Sequence, residues 1–180
     1  DVSLGDLRVV PAEIGGGFGG KNVVYLEPLA ALLSKKSGRP VQMTMSRTEV
    51  LEATGPTSGT RSFVKIGATK DGKLVAADIR LEYEAGAYPG SPVAGGARCA
   101  LGPYLVPHQR IIGLDIVLNR PKTAAYRAPG APASEFAVEA LLDELAEQLD
   151  IDPMELRDIN AAQEGDRRSD GATHGSLAAR

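Results

Sequence analysis

Between Ile14 and Lys21 the chain reads Gly-Gly-Gly-Phe-Gly-Gly, five glycines and one aromatic in six consecutive positions. Glycine loses more backbone freedom on folding than any other residue, so such a run weakens any helix or strand laid across it. It suits a backbone that must take positive φ, or one against which another molecule lies directly. Successive N–H groups cleared of side chains form a site for phosphate, carboxylate or oxo groups. Residues 15–21 are therefore read as a loop facing a polyanionic ligand.

Composition narrows the class of protein around that loop. At 180 residues, with 43% apolar and 24% charged, the chain is globular and long enough for one domain with a core. A net charge of −3 gives no basic field for nucleic acid, and 4% aromatic residues with no Trp give no stacking surface. Cys99 is the sole cysteine, which excludes an internal disulfide. His108 and His174 have no ligand spacing to each other or to Cys99, so no metal site is expected from side chains. No apolar run reaches the length of a membrane span. The chain opens on Asp1 without a signal peptide. A processed or excised piece is expected, in the cytoplasm, with the periplasm as the alternative.

Periodicity supplies the elements. Asp6 to Ile14 reads as a strand entering the glycine loop, and Pro28 opens a helix carrying Leu29, Ala30, Leu32 and Leu33. Lys35, Lys36 and Gly38 mark its end. Pro40 to Met45 alternates as a strand with Met43 and Met45 on its core face, and Ser46-Arg-Thr-Glu49 has capping-box spacing. Asp71-Gly72 joins two β-rich runs into a hairpin over residues 62–83. Residues 86–102 read as a long loop with Pro89, Pro92 and a glycine pair, and Ile111 to Leu118 as a further strand. A second special turn follows at 125–132, Ala-Tyr-Arg-Ala-Pro-Gly-Ala-Pro. Helices then occupy 132–160, with Val138, Leu141, Leu142, Leu145 and Leu149 on one face, and a loose tail runs over 164–180. The expected fold is α+β: a mixed, largely antiparallel sheet with two main helices packed on it, in one domain.

Three ligands compete for the glycine loop. Gly15-x-Gly17-x-x-Gly20 satisfies a dinucleotide fingerprint, although no acidic residue stands near 43–47 where the ribose contact belongs. Gly15-x-x-x-x-Gly20-Lys21 fits most of a phosphate loop, with Asn22 where a metal-binding hydroxyl is needed. A non-catalytic anion-binding module is a further reading. The third ligand emerges from an ordered series: Gly-Gly-Gly-Phe-Gly-Gly-Lys at 15–21, Gly38-Arg-Pro-Val41, Asp71-Gly72, Ala125-Tyr-Arg-Ala-Pro-Gly130, Glu139 to Ala146, and Asp152-Pro-Met-Glu-Leu-Arg-Asp-Ile-Asn160. That series resembles the molybdopterin-binding (large) subunit of the xanthine dehydrogenase/aldehyde oxidase family of molybdenum hydroxylases, over nearly the whole chain.

The resemblance implies that residues 1–180 are a partial cofactor-binding domain of a larger subunit. It implies that the backbone of Gly16, Gly17, Phe18, Gly19 and Gly20 meets a molybdenum–molybdopterin group in its cytosine dinucleotide form, with Arg127 presenting its backbone from the second turn. Asn22 stands where purine-oxidising members carry a substrate-contacting Glu, and Pro129 where they carry an aromatic, which speaks against purine; an aldehyde or N-heterocycle is the implied substrate. Ala128 differs from the cysteine-bearing turn of the carbon monoxide dehydrogenase members. Arg98 matches a substrate-orienting arginine. The family's catalytic glutamate lies downstream of residue 180, so no catalytic residue is expected here and the isolated chain is expected to be inactive. The remainder of the large subunit, and iron–sulfur (2Fe-2S) and FAD subunits or domains, are the implied partners, with no nucleic acid and no membrane.

Overall fold

Asp71-Gly72 closes the hairpin it predicts. In the computed structural model, which describes residues 2–176, β1 (Thr60–Ala68) pairs antiparallel with β2 (Leu74–Gly86). Gly72 takes φ 84°, and its N–H donates to the Thr69 carbonyl at 3.0 Å. The sheet continues on the far side of β2 with β3 (His108–Val117), which runs parallel to it, in the order β1-β2-β3. The expected mixed sheet is thus present, but only one of its two pairings is antiparallel. The difference has a definite cause. Within the segment read as a loop, Val93–Cys99 forms a helix, α3, and a helical crossover returns the chain parallel to where it left.

One face of the sheet is covered by α3 and α4 (Ala131–Leu149), with α5 (Pro153–Asn160) packed on α4; the remaining helices are α1 (Glu27–Ser37) and α2 (Arg47–Ala53). Strand β2 lies between two neighbours and turns alternate residues inward. Leu74, Ala77, Ile79, Leu81 and Tyr83 join Val138, Leu142 and Ala146 of α4 and Leu156 of α5 in one core. Ile79, Leu81 and Tyr83 are fully buried; each such side chain contributes ~1.5–3 kcal/mol. On the outer face Arg110 and Asp78 pair at 2.6 Å, exposed to solvent, where water and salt screen the attraction.

Three further expectations change. Asp6 to Ile14 and Pro40 to Met45 are not strands. A strand needs a neighbour for its N–H and C=O groups, and neither segment has one among the described residues. Met43 and Met45 are accordingly only half-buried. Helix α1 buries no residue, leaving Leu29, Leu32 and Leu33 exposed. The tail is less loose than its composition suggests: Arg167 and Thr173 form an antiparallel bridge around a turn at Gly171, and Asp170 pairs with Arg168 at 2.8 Å. Residues 177–180 of that expected tail lie outside the described residues.

Candidate functional site

The glycine loop owes its shape to three positive-φ residues, Gly15 (68°), Phe18 (50°) and Gly19 (76°). Lys21 ties the two ends together, its ammonium donating to the Ile14 carbonyl at 2.7 Å, and the Gly20 N–H donates to Gly17 at 2.9 Å. Each bare Cα has a distinct use. A Cβ on Gly16 would lie 2.3 Å from the Phe18 ring, and one on Gly19 would lie 1.2 Å from the Ala125 carbonyl oxygen. Gly19 therefore seats the first turn directly on the second. At Gly17 a Cβ would meet nothing within 4 Å, so that position faces open space.

The second turn, 125–132, contains the non-glycine Ala128 at φ 54° and Gly130 at 89°. Non-glycine residues in this region are strained and gather at functional sites; here Phe18 and Ala128 place one in each turn. The turn is fixed from behind. Ala124 donates to Pro56 at 2.9 Å and Thr123 to Ala85 at 3.0 Å. Tyr83, buried in β2, donates its hydroxyl to the Gly130 carbonyl at 2.8 Å. Burial raises the Tyr83 phenol above its ordinary value of 10.0, so it remains a donor at neutral pH. On the other side, α3 contributes the glycine pair of the supposed loop: Cβ atoms on Gly95 and Gly96 would lie 2.4 Å from the Pro129 carbonyl oxygen and 3.0 Å from that of Gly130. Only bare Cα atoms allow a helix to approach this turn so closely.

Phe18 and Tyr126 stack across the junction, ring centres 6.2 Å apart and inclined by 16°. Beside them lies a hollow of about 260 Å³ whose walls include Thr57, Ser58, Tyr83, Tyr126, Arg127 and Gly130. A second hollow, about 320 Å³, shares Thr57 and Ser58 and adds Glu84 and Arg120, which pair at 3.3 Å. The Ser58 hydroxyl oxygen is buried without a hydrogen-bond partner among the described residues. The backbone amides of Gly16, Gly17, Phe18 and Gly19, and of Tyr126, Arg127 and Ala128, likewise donate to nothing within the described chain. No carboxylate lines the first hollow, and no group of three His, Cys, Asp or Glu side chains among the described residues could hold a metal.

The structure thus brings Gly16, Gly17, Phe18, Gly19, Gly20, Arg127 and Pro129 to one junction. Asn22 sits just past the loop, exposed and outside both hollows. Arg98 lies in the last turn of α3, 3.6 Å from Asp170 of the tail and also outside them. Tyr83, Ser58 and the Gly95-Gly96 pair were not signalled as site residues. Of these only the glycine pair carried a local sign, because two adjacent glycines in a helix imply a close backbone neighbour.

The geometry also separates the rival loops. In a dinucleotide fold or a phosphate loop the glycine turn runs straight into a helix whose N-terminus holds the phosphate. Here α1 begins only at Glu27, and Lys21 is turned back onto the loop. Known proteins agree with the remaining reading. The family described as the molybdopterin cofactor-binding domain matches residues 1–161. The xanthine dehydrogenase molybdenum-binding subunit of Escherichia coli is 38% identical over 173 residues, covering 92% of this chain and 23% of its own length. The nicotinate dehydrogenase large molybdopterin subunit of Eubacterium barkeri is 33% identical, across 92% of this chain and 40% of its own. The aldehyde oxidoreductase of Desulfovibrio gigas superposes with a TM-score of 0.82 at 34% identity, over 92% of this chain and 18% of that one. The chain therefore spans less than half the length of these relatives. On the extent of these matches, the chain belongs to the molybdopterin cofactor-binding domain family.

Proposed function

We propose that this chain forms one wall of the cofactor site in a molybdenum-dependent hydroxylase, within a larger subunit. The observation that carries the proposal is the junction of two turns a hundred residues apart, each offering amides that no described acceptor uses. The residues fit the group: an anionic, oxygen-rich cofactor needs donors without side chains in front of them, and Gly17 is open. Gly16, Gly17, Phe18 and Gly19 would hold its oxygen atoms from one side, and the Arg127 backbone from the other. Bound there, the group would supply two-electron oxidation of a carbon centre with water as the oxygen source.

The chain's own residues act as a frame. Tyr83 fixes the second turn through Gly130, and Gly19 sets the spacing between turns. Among the described residues no carboxylate lines the first hollow, and Glu84 beside it is paired with Arg120, which supports a general base supplied from elsewhere. The general base belongs to the rest of the subunit. Relatives named for aldehyde, nicotinate and quinoline substrates support aldehydes or N-heterocycles as the substrate class, with Asn22, Arg98 and Pro129 as candidate contacts. The family resemblance further supports the cytosine dinucleotide form of the pterin and 2Fe-2S and FAD partners; a cytoplasmic setting, with the periplasm as the alternative, remains the expectation from the sequence. No helix of the described residues is long and apolar enough to cross a membrane.

Molybdenum and pterin analysis of the full-length protein tests the reading. Near-stoichiometric metal and pterin are expected. Their absence, or retained ATP or NAD, would overturn it.

A further inference from the structure

Behind the two turns lies a third segment, the strap 54–59 between α2 and β1, and one side chain joins it to the glycine loop. The Tyr25 hydroxyl donates to the Gly20 carbonyl and accepts from the Gly55 N–H, both at 2.8 Å. The partners are 5 and 30 residues away, so the contact links segments that no local structure would connect. The surrounding backbones are packed without side chains. A Cβ on Gly20 would lie 2.6 Å from the Gly55 carbonyl oxygen, and one on Gly55 would lie 2.7 Å from the Ala124 Cβ and 2.8 Å from the Lys122 carbonyl oxygen. Gly20 itself is buried and Tyr25 half-buried.

This layering has a mechanical consequence. The strap is already pinned to the second turn, because Ala124 donates to Pro56. Tyr25 pins the first turn to the strap. Beyond Tyr25, the described contacts holding the glycine loop to the second turn are the seat of Gly19 on Ala125 and the Phe18–Tyr126 stack, whose two rings are exposed. A glycine run is too flexible to keep its amides aimed by itself. We propose that Tyr25 is a positioning residue: its hydroxyl sets the glycine-loop amides against the Tyr126–Ala128 amides before a ligand arrives. Preorganised donors bind an anion without the cost of ordering them at that moment. This rests on the cofactor reading above.

The test uses the full-length protein with Tyr25→Phe, which removes one oxygen atom and keeps the ring. Ile79→Val, a core change far from the loop, serves as the control. Three quantities are read: melting temperature, molybdenum and pterin per folded subunit at limiting cofactor supply, and the electron paramagnetic resonance spectrum of the reduced molybdenum. In Tyr25→Phe the cofactor content is expected to fall about tenfold, the equivalent of ~1.4 kcal/mol, with a shifted spectrum in the molecules that still load. Ile79→Val should lose a comparable number of degrees yet load fully with an unchanged spectrum. Full loading of Tyr25→Phe with the wild-type spectrum would overturn the proposal. So would a loss of fold whose surviving molecules load normally, since the hydroxyl would then be a stability element only. If the wild-type protein holds neither molybdenum nor pterin, it is the cofactor reading that fails, a separate outcome.

Discussion

Adjacent glycines in one loop carry different obligations, and two of them can be separated by experiment. Gly19 combines φ 76° with a Cβ position 1.2 Å from the Ala125 oxygen. The left-handed conformation alone costs a side-chain residue ~1–2 kcal/mol, and the collision must also push the two turns apart. Gly19→Ala should therefore lower both stability and cofactor content in the full-length protein. Gly17 is in open space, so Gly17→Val should change stability by less than ~1 kcal/mol while blocking cofactor loading. Urea denaturation alongside metal analysis checks the pair; a Gly17→Val protein that loads normally would remove the glycine loop from the site.

At the scale of elements, two locks make sharp expectations. Asn160, buried at the end of α5, accepts from the Leu74 N–H and donates to the Gly72 and Leu156 carbonyls, each at 2.8 Å. Asn160→Ala strands Leu74 and Gly72 on either side of the hairpin turn, and each stranded group costs ~1–3 kcal/mol. A loss of about 2–5 kcal/mol is expected by denaturant titration, and a loss below ~1 would refute the lock. At the start of α2, Ser46 and Glu49 form a reciprocal capping box, the Glu49 carboxylate accepting from the Ser46 N–H at 2.7 Å. The Ser46 backbone N–H, then its hydroxyl, holds the Glu49 carboxyl below its ordinary 4.5. The folded value is depressed, so the contribution is complete above pH 4.5 and drains away as the pH falls through the lower folded value. Protection factors of the Arg47–Ala53 amides, corrected for the intrinsic exchange rate at each pH, should therefore fall with acid, and Glu49→Gln should abolish that dependence. The capping box follows from local spacing, and it, the Asp71-Gly72 hairpin, α4 and α5 were legible for that reason, whereas the Asn160 lock reaches hairpin partners 86 and 88 residues away. The unread features depend on distant partners. The supposed strands at 6–14 and 40–45 have strand-like sequences but no described neighbour to pair with. Helix α3 is hidden in a glycine-rich stretch because its purpose is to approach a turn thirty residues later. At the site, Gly16 to Gly20 and Arg127 were legible as special turns, whereas Tyr25 and Tyr83 act through hydroxyl contacts with carbonyls that no motif announces.

Across the whole molecule, order and exposure are unevenly distributed. The core centres on β2, whose Ile79, Leu81 and Tyr83 are fully buried, while the first 37 residues expose Val9, Val10, Ile14, Val23, Val24, Leu29, Leu32 and Leu33. Apolar side chains at helical spacing on α1, none of them buried, make a face that packing against the sheet does not explain. The glycine loop sits in this less anchored half, joined to the core half chiefly through Tyr25, the Gly19–Ala125 seat and the Phe18–Tyr126 stack. Local opening is cheapest where buried apolar contacts are few, so the two halves should separate in hydrogen exchange. In residues 1–180 expressed alone, β2 amides should exchange only through global unfolding, and amides of residues 15–37 should exchange orders of magnitude faster. The same chain should bind the pterin weakly, because an amide set that opens freely must be ordered by the ligand itself. In the full-length protein the protection of α1 should rise towards that of β2. Slow exchange through α1 in the isolated chain, or stoichiometric pterin binding by it, would mean that the loop is held by these 180 residues without help.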